Sequence, residues 1–345
     1  MKNMKKTIIF ISALVLLAGC YDDYVMDYDN GSGVYTAYQY DLRTFVLGEK
    51  ESFDFTVALG GVINNDRDRS VSVRLDNTLL NKDLSTLAPD KGYDSFTAIQ
   101  AFNGGAKFGV VCQPYVTTEV FNSGITGFAE LPEAYYSISG LEGMVIKAGR
   151  HSASATVKAS DFIKEDAKVF APFYALGFQI VSADCDELVP EISYEIIAVK
   201  CENRFFGRWS HGGVTKTLDA SGNVISESSY ELSNADARVC TLTTRDASSV
   251  VCNKIGNMAG NLLITVGDDN SVTLSSADGS LNIEPVPGTP STFNGEDLIQ
   301  NRKLNLNYQY TSGGYTYVVN DVLEFRDRTR DGVLEYQDER TELYK

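Results

Sequence analysis

Hydrophobic residues fall at every second position through much of the chain beyond Val34. Phe53, Phe55, Val57 and Leu59 alternate with Ser52, Asp54, Thr56 and Ala58, and Gly60-Gly61 ends the run. After the charged turn Asn64-Asn65-Asp66-Arg67-Asp68-Arg69, the residues Val71, Val73 and Leu75 resume the pattern. Ala153, Ala155, Val157 and Ala159 repeat it, as do Tyr174, Leu176, Phe178 and Ile180. A period of two sends alternate side chains to opposite faces, so each run predicts a strand with one buried face. Ile192 to Val199 is apolar on both sides, which predicts a strand in the middle of a sheet. No long segment carries a 3.6-residue period. Short strands separated by turn residues predict an all-β chain whose first half is a sandwich. The stretch 79–130 breaks this rhythm. It is rich in Gly, Phe and Tyr, and reads either as a functional insertion or as one without a role.

The second half is again strand and turn. Ala220-Ser221-Gly222-Asn223, Gly267-Asp268-Asp269-Asn270 and Ala277-Asp278-Gly279 are turn sequences. Between them Val239–Thr244, Leu262–Val266, Val272–Leu274 and Leu304–Tyr310 predict strands. The N-terminus differs in kind. Lys2, Lys5 and Lys6 precede an apolar run from Ile8 to Ala18, the layout of a secretion signal, and too short to span a bilayer. Leu17-Ala18-Gly19-Cys20 resembles the bacterial lipobox, which implies cleavage before Cys20 and its acylation; the plainer alternative is an ordinary signal peptide. Tyr21-Asp22-Asp23-Tyr24 resembles the export signal of Bacteroidota surface lipoproteins, which implies an outer-membrane, lipid-anchored protein facing the cell exterior; the plainer alternative is a generic solvated tether.

Charge narrows the partners. Without residues 1–19 the chain keeps 27 lysines and arginines against 46 acids, a net charge of −19. Such a surface repels phosphate backbones and anionic lipid, so nucleic acid is excluded as a partner and membrane contact falls to the acyl anchor. Cys112, Cys185, Cys201, Cys240 and Cys252 remain, none in a CxxC pair, so a zinc site has no support. Cys240 and Cys252 flank a hairpin turning near Asp246. They are either a disulfide pair or two small buried hydrophobes.

Several segments carry a family resemblance. Leu131-Pro132, Tyr135-Tyr136 and Met144–Ile146 followed by Lys147-Ala148-Gly149 resemble the end of an immunoglobulin-like domain of Bacteroidota surface lipoproteins. That domain also precedes family-18 endoglycosidase barrels. Tyr194–Lys200 resembles its last strand, and Phe205-Phe206-Gly207 the start of a second domain. Leu304–Tyr308, Phe325–Arg328 and Asp331-Gly332-Val333 resemble the closing hairpin of that second domain, which is of unknown function. The resemblance implies a signal peptide (1–19), a lipidated tether (20–33), an immunoglobulin-like β-sandwich (34–201) with the insertion 79–130, and a lipocalin-like β-barrel (202–345). A barrel hides its strand edges and can hold a ligand at its mouth.

Catalytic chemistry finds little footing. Only His151 and His211 are present, and no HExxH, GxSxG or Walker sequence exists. A family-18 catalytic barrel needs roughly 250 residues, more than 202–345 supplies. Asp66 with Asp68, and Asp268 with Asp269, lack EF-hand spacing and read as solvated turns, so no metal and no cofactor is expected. Binding is better served. If Thr311-Ser312-Gly313-Gly314 is a hairpin loop, Tyr310 opposes Tyr315 and Tyr308 opposes Tyr317, with all four on one face beside Leu306 and Val319. That face is either barrel core or a platform for sugar rings. Trp209, the only tryptophan, shares a face with Phe205, Gly207 and His211. It either stacks on a sugar beside Arg208 or His211, or plugs the closed end of the barrel. These readings lead to a non-catalytic, cell-surface glycan-binding lipoprotein that captures oligosaccharide or polysaccharide beside an outer-membrane importer. The alternative is a structural or adhesive lipoprotein that recognises a protein.

Overall fold

The computed structural model describes residues 31–80, 114–120, 127–233, 235 and 238–340. Cys20, the signal, most of the tether, Cys112 and most of the 79–130 insertion lie outside the described residues. The molecule is all-β. Its first half builds two sheets from β1 (Gly33–Tyr35), β2 (Tyr40–Val46), β3 (Ser52–Gly60), β4 (Arg69–Leu75), β5 (Ala129–Glu130), β6 (Tyr136–Ser139), β7 (Met144–Ile146), β8 (Ser152–Ala159), β9 (Tyr174–Ala183) and β10 (Tyr194–Glu202). One sheet has the order β1-β3-β8-β6, the other β2-β10-β9-β4-β7 with β5 beside β9. The alternating residues of β3 and β8 face those of β9 and β10 across one core, where Phe55 stacks on Phe178 at 4.3 Å. β10 is the doubly apolar strand, parallel to β2 on one side and antiparallel to β9 on the other. It starts at Tyr194 rather than Ile192, because Pro190–Ile192 forms a 3-10 turn.

The reason for its second apolar face is now visible. Tyr194, Ile196 and Ala198 point away from the sandwich core and are covered by Leu79, Leu80, Phe128 and the short helix α1 (Pro114–Glu119), through Val116. The described edges of the 79–130 insertion therefore bury a second, outer face of the sheet.

The second half contains β11 (Gly207–Leu218), β12 (Val224–Tyr230), β13 (Val239–Thr244), β14 (Ser249–Ile255), β15 (Met258–Val266) and β16 (Ser271–Ser276). It continues with β17 (Glu284–Pro285), β18 (Ser291–Phe293), β19 (Lys303–Ser312), β20 (Tyr315–Arg330) and β21 (Val333–Glu335). Antiparallel pairing runs β11-β13-β14-β15-β16-β18-β19-β20, and β20 pairs back onto β11, closing a barrel. Its interior is filled. Trp209, Leu262, Ile264, Leu304, Leu306, Val319 and Leu323 pack there with two tyrosines. Burial of a large apolar side chain contributes roughly 1.5–3 kcal/mol, so a filled barrel is stable without a ligand inside.

A buried ion-pair clasp joins the two halves. Glu49, in the β2–β3 turn, accepts from Arg302 and, at 2.9 Å, from Arg328 of β20. Arg328 also reaches Glu335 at 2.7 Å, and Glu335 holds Arg330 at 2.6 Å. Arg302 donates in addition to the Arg204 carbonyl at 2.8 Å and the Asp297 carbonyl at 2.9 Å. Each buried charge thus meets at least one opposite charge, and Arg302 is further satisfied by carbonyls, the condition under which a buried pair is tolerated.

Candidate functional site

The β19–β20 hairpin positions the tyrosines, but with a tighter turn than its sequence suggests. Gly313 and Gly314 have φ of 59° and 82°, the left-handed pair of a two-residue type I′ turn. Ser312 therefore faces Tyr315, Tyr310 faces Tyr317, and Tyr308 faces Val319. The expected register, with a four-residue loop, is off by two. A shift of two preserves parity, so all four tyrosines still share one face.

That face divides by depth. Tyr308 is completely buried, and its hydroxyl donates to Asp321 at 3.0 Å and accepts from the Gly256 N–H at 2.6 Å. Asp321 also accepts from Tyr230 and lies 3.1 Å from His211 Nε2. Burial, reinforced by the Asp321 charge, pushes the Tyr230 and Tyr308 hydroxyls well above the usual phenol range. Gly256, in the β14–β15 turn, seals this network. A Cβ there would come within 2.9 Å of Thr215 Oγ1. His211, Tyr230 and Asp321 are each 3% exposed, so the network stiffens the barrel and offers no surface to a ligand. His211 and Tyr308 are thereby corrected from candidate ligand contacts to interior groups. Asp321 and Tyr230 were not singled out by sequence. The signal for Asp321 was present: it shares parity with the inward Val319, Leu323 and Phe325.

Nearer the hairpin tip the face opens. The Tyr310 and Tyr317 rings stack at 5.0 Å and 13°. Tyr310 is buried beneath and its hydroxyl finds no partner, Tyr317 is half-buried, and Tyr315 is 43% exposed. Pairing extends the row sideways: Tyr310 to Tyr317 to Thr217 of β11 to Ser226 of β12. The result is a strip of aromatic rings and hydroxyls on a four-strand extension of the barrel. The neighbouring charges, Lys216 and Glu227, pair with each other at 3.8 Å. Aromatic faces carry the negative lobe of a quadrupole and attract polarised C–H groups, while the flanking hydroxyls can take hydrogen bonds.

The remaining candidates lie elsewhere. Trp209 has no exposed surface; its Nε1 donates to the Phe205 carbonyl at 3.0 Å and its ring meets Phe325 edge-on at 5.6 Å. It plugs the base of the barrel, so the sugar-stacking role is corrected. Arg208, on the outer face, holds Asp327 through two bonds of 2.6 and 2.8 Å, and is not beside the tyrosine strip. Cys240 and Cys252 are free thiols, not a disulfide. Register sets Leu242 opposite Cys252, leaving Cys240 diagonal to it. A hydrogen bond with Cys252, together with burial, pushes the Cys240 thiol well up. Among the described residues no group of acidic, histidine or cysteine side chains is arranged to hold a metal ion.

Comparison with known proteins bears on the architecture. A Bacteroides ovatus protein of unknown function, known from a crystal structure, superimposes with a TM-score of 0.61 over 90% of this chain and 98% of its own, at 14% identity. The likeness is one of fold. A multidomain Bacteroides ovatus protein including DUF1735 matches at 11% identity over 88% of this chain and 99% of its own, with a TM-score of 0.40. An auxiliary nutrient binding protein from Bacteroides thetaiotaomicron matches at 15% identity over 91% and 98%, with a TM-score of 0.38. No family model matches the sequence, and no curated protein does.

Proposed function

We propose that the protein is a lipid-anchored, non-catalytic glycan-binding protein of the bacterial cell surface, capturing oligosaccharide or polysaccharide beside an outer-membrane importer. One observation carries the reading: Tyr315 and Tyr317 form an accessible aromatic strip, flanked by Thr217 and Ser226, on a barrel too full to hold a ligand inside. Sugar rings have flat C–H faces for the tyrosines and hydroxyls for the polar rim. The lipobox-like Leu17–Cys20 supplies the anchor and the acidic Asp22-Asp23 the export signal. A glycan-array screen of the purified protein tests the reading. It expects hits among surface polysaccharides or host glycans; a blank array removes it.

A second reading, a partner-binding adhesive protein, has an observation of its own. Among the described residues β12 pairs only with β11, and Val224 and Ile225 on it are 55% and 53% exposed. An open edge of this kind can accept a strand from another protein. A stable protein complex that is lost when Ser226→Pro blocks the edge would favour it.

A further inference from the structure

The sandwich and the barrel enclose a cleft of about 510 Å³, within the usual range for small-ligand sites. It lies at the base of the barrel, whereas Tyr315 begins β20 at the far end. Gly48, Lys164, Asn203, Arg204, Ser248 and Asp268 are among its lining residues. Arg204 is the unusual one. Its guanidinium lies over the rings of Phe205 and Phe293, at 5.4 and 5.5 Å, and its Nε is sealed without a hydrogen-bond partner. Among the described residues no carboxylate lies within ion-pair distance of it. Arg302, Arg328, Arg330 and Arg340 all hold carboxylates, and the buried Arg69, which does not, is held instead by Asn65, Ser32 and the Asp184 carbonyl. Three nearby carboxylates are otherwise engaged, and Asp268, on an exposed turn, lies beyond ion-pair distance of Arg204. Glu51 accepts the Gly48 N–H at 2.9 Å, Asp161 faces Lys164 at 3.7 Å, and Glu49 is taken by Arg302 and Arg328. A half-buried guanidinium fixed by aromatic stacking and lacking a counter-ion is built to receive one.

We propose that this cleft is a second ligand site, in which Arg204 binds the carboxylate of a small hydroxylated acid such as a sugar acid. The acidic lining selects within that class. Glu51 and Asp161 accept hydroxyl protons, while the exposed Asp268 contributes only charge; together they repel a second negative charge, which disfavours phosphate esters and polysulfated chains.

The test is calorimetric titration of purified full-length protein with glucuronate, with glucose as the uncharged competitor. Saturable one-to-one binding of glucuronate is expected, with glucose failing to compete. Arg204→Gln should weaken it at least about tenfold, the scale of one charge-assisted contact. Asp268→Asn, on an exposed turn, removes a repelling charge and should tighten binding about twofold. Opposite signs for the two variants cannot arise from loss of folding, and Asp268→Asn decides the matter if Arg204→Gln fails to fold. The proposal is overturned if glucuronate does not saturate, if glucose competes equally, if folded Arg204→Gln binds as the parent does, or if Asp268→Asn fails to tighten binding. Because Arg204 and Tyr315 lie at opposite ends of the barrel, loss of this site leaves the tyrosine-strip reading standing, and the reverse also holds.

Discussion

Trp209 illustrates how a single residue can suggest a function that its surroundings deny. A lone tryptophan beside an arginine and a histidine has the composition of a sugar site, yet here it is core. Trp209→Ala should cost about 3–5 kcal/mol, as other large aromatic deletions do. Thermal or urea unfolding measures that loss, and an unchanged midpoint would show that the ring is not packed in the barrel. The thiols make a parallel case. Cys201, Cys240 and Cys252 are at most 2% exposed, and burial pushes the Cys201 thiol up to about 12. All three should resist a thiol reagent in the native protein and react on denaturation. Fast native labelling of any of them, read by mass spectrometry of the peptides, would contradict the packing. Parity along single strands was legible at this scale: it places Trp209, Tyr308 and Asp321 on inward faces. Whether an inward face is core or cavity was not, because that depends on what the opposite strands contribute.

At the scale of elements, turns decided what the strands alone left open. The Gly313-Gly314 pair can form a two-residue turn or belong to a longer loop, and only the tight turn gives the Tyr310–Tyr317 stack. The clasp was not legible at all. Glu49 and Arg302 lie far apart in sequence, and each resembles an ordinary surface charge until the sandwich meets the barrel. Glu49→Ala would leave Arg302 and Arg328 buried without their shared counter-charge. The expected destabilisation is about 3–5 kcal/mol. Differential scanning calorimetry should then show the single transition lowered or split in two; an unaltered profile would mean that the clasp does not hold the halves together. Apolar residues on both faces of β10 were legible as a central strand. What covers the second face was not, since the 79–130 sequence lacks a period.

The whole molecule should respond to pH in two opposed ways. Burial holds the carboxyls of Glu195, Asp41 and Asp331 above their usual range, with the neighbouring Asp41 charge adding to the effect at Glu195. A group with a raised folded pKa adds its stability below the unfolded pKa and loses it as pH rises through the folded value. Glu335 behaves oppositely. Burial opposes its ionisation, but hydrogen bonds and charge from Arg330 and Arg328 outweigh that and hold it below the usual range. Its contribution is present above the unfolded pKa and is lost as pH falls through the folded one. Asp166 and Asp186, held low chiefly by hydroxyl hydrogen bonds from Tyr174 and Ser32, add to the acid-side loss. Urea midpoints should therefore rise from neutral pH toward about pH 5 and fall below about pH 4, near the ordinary carboxylate range. A midpoint that declines steadily from pH 7 would contradict the assignment at Glu195.

On the proposed function, a glycan binds the tyrosine strip at the tip of β19 and β20. The most direct measurement is the affinity of Tyr317→Ala and Tyr315→Ala for the best glycan-array ligand, with unfolding midpoints measured alongside. Each variant should lose at least about tenfold in affinity, roughly 1.4 kcal/mol. The exposed Tyr315 variant should keep its stability to within about 0.5 kcal/mol. Undiminished binding by both folded variants would contradict the proposed function and move the ligand off the strip.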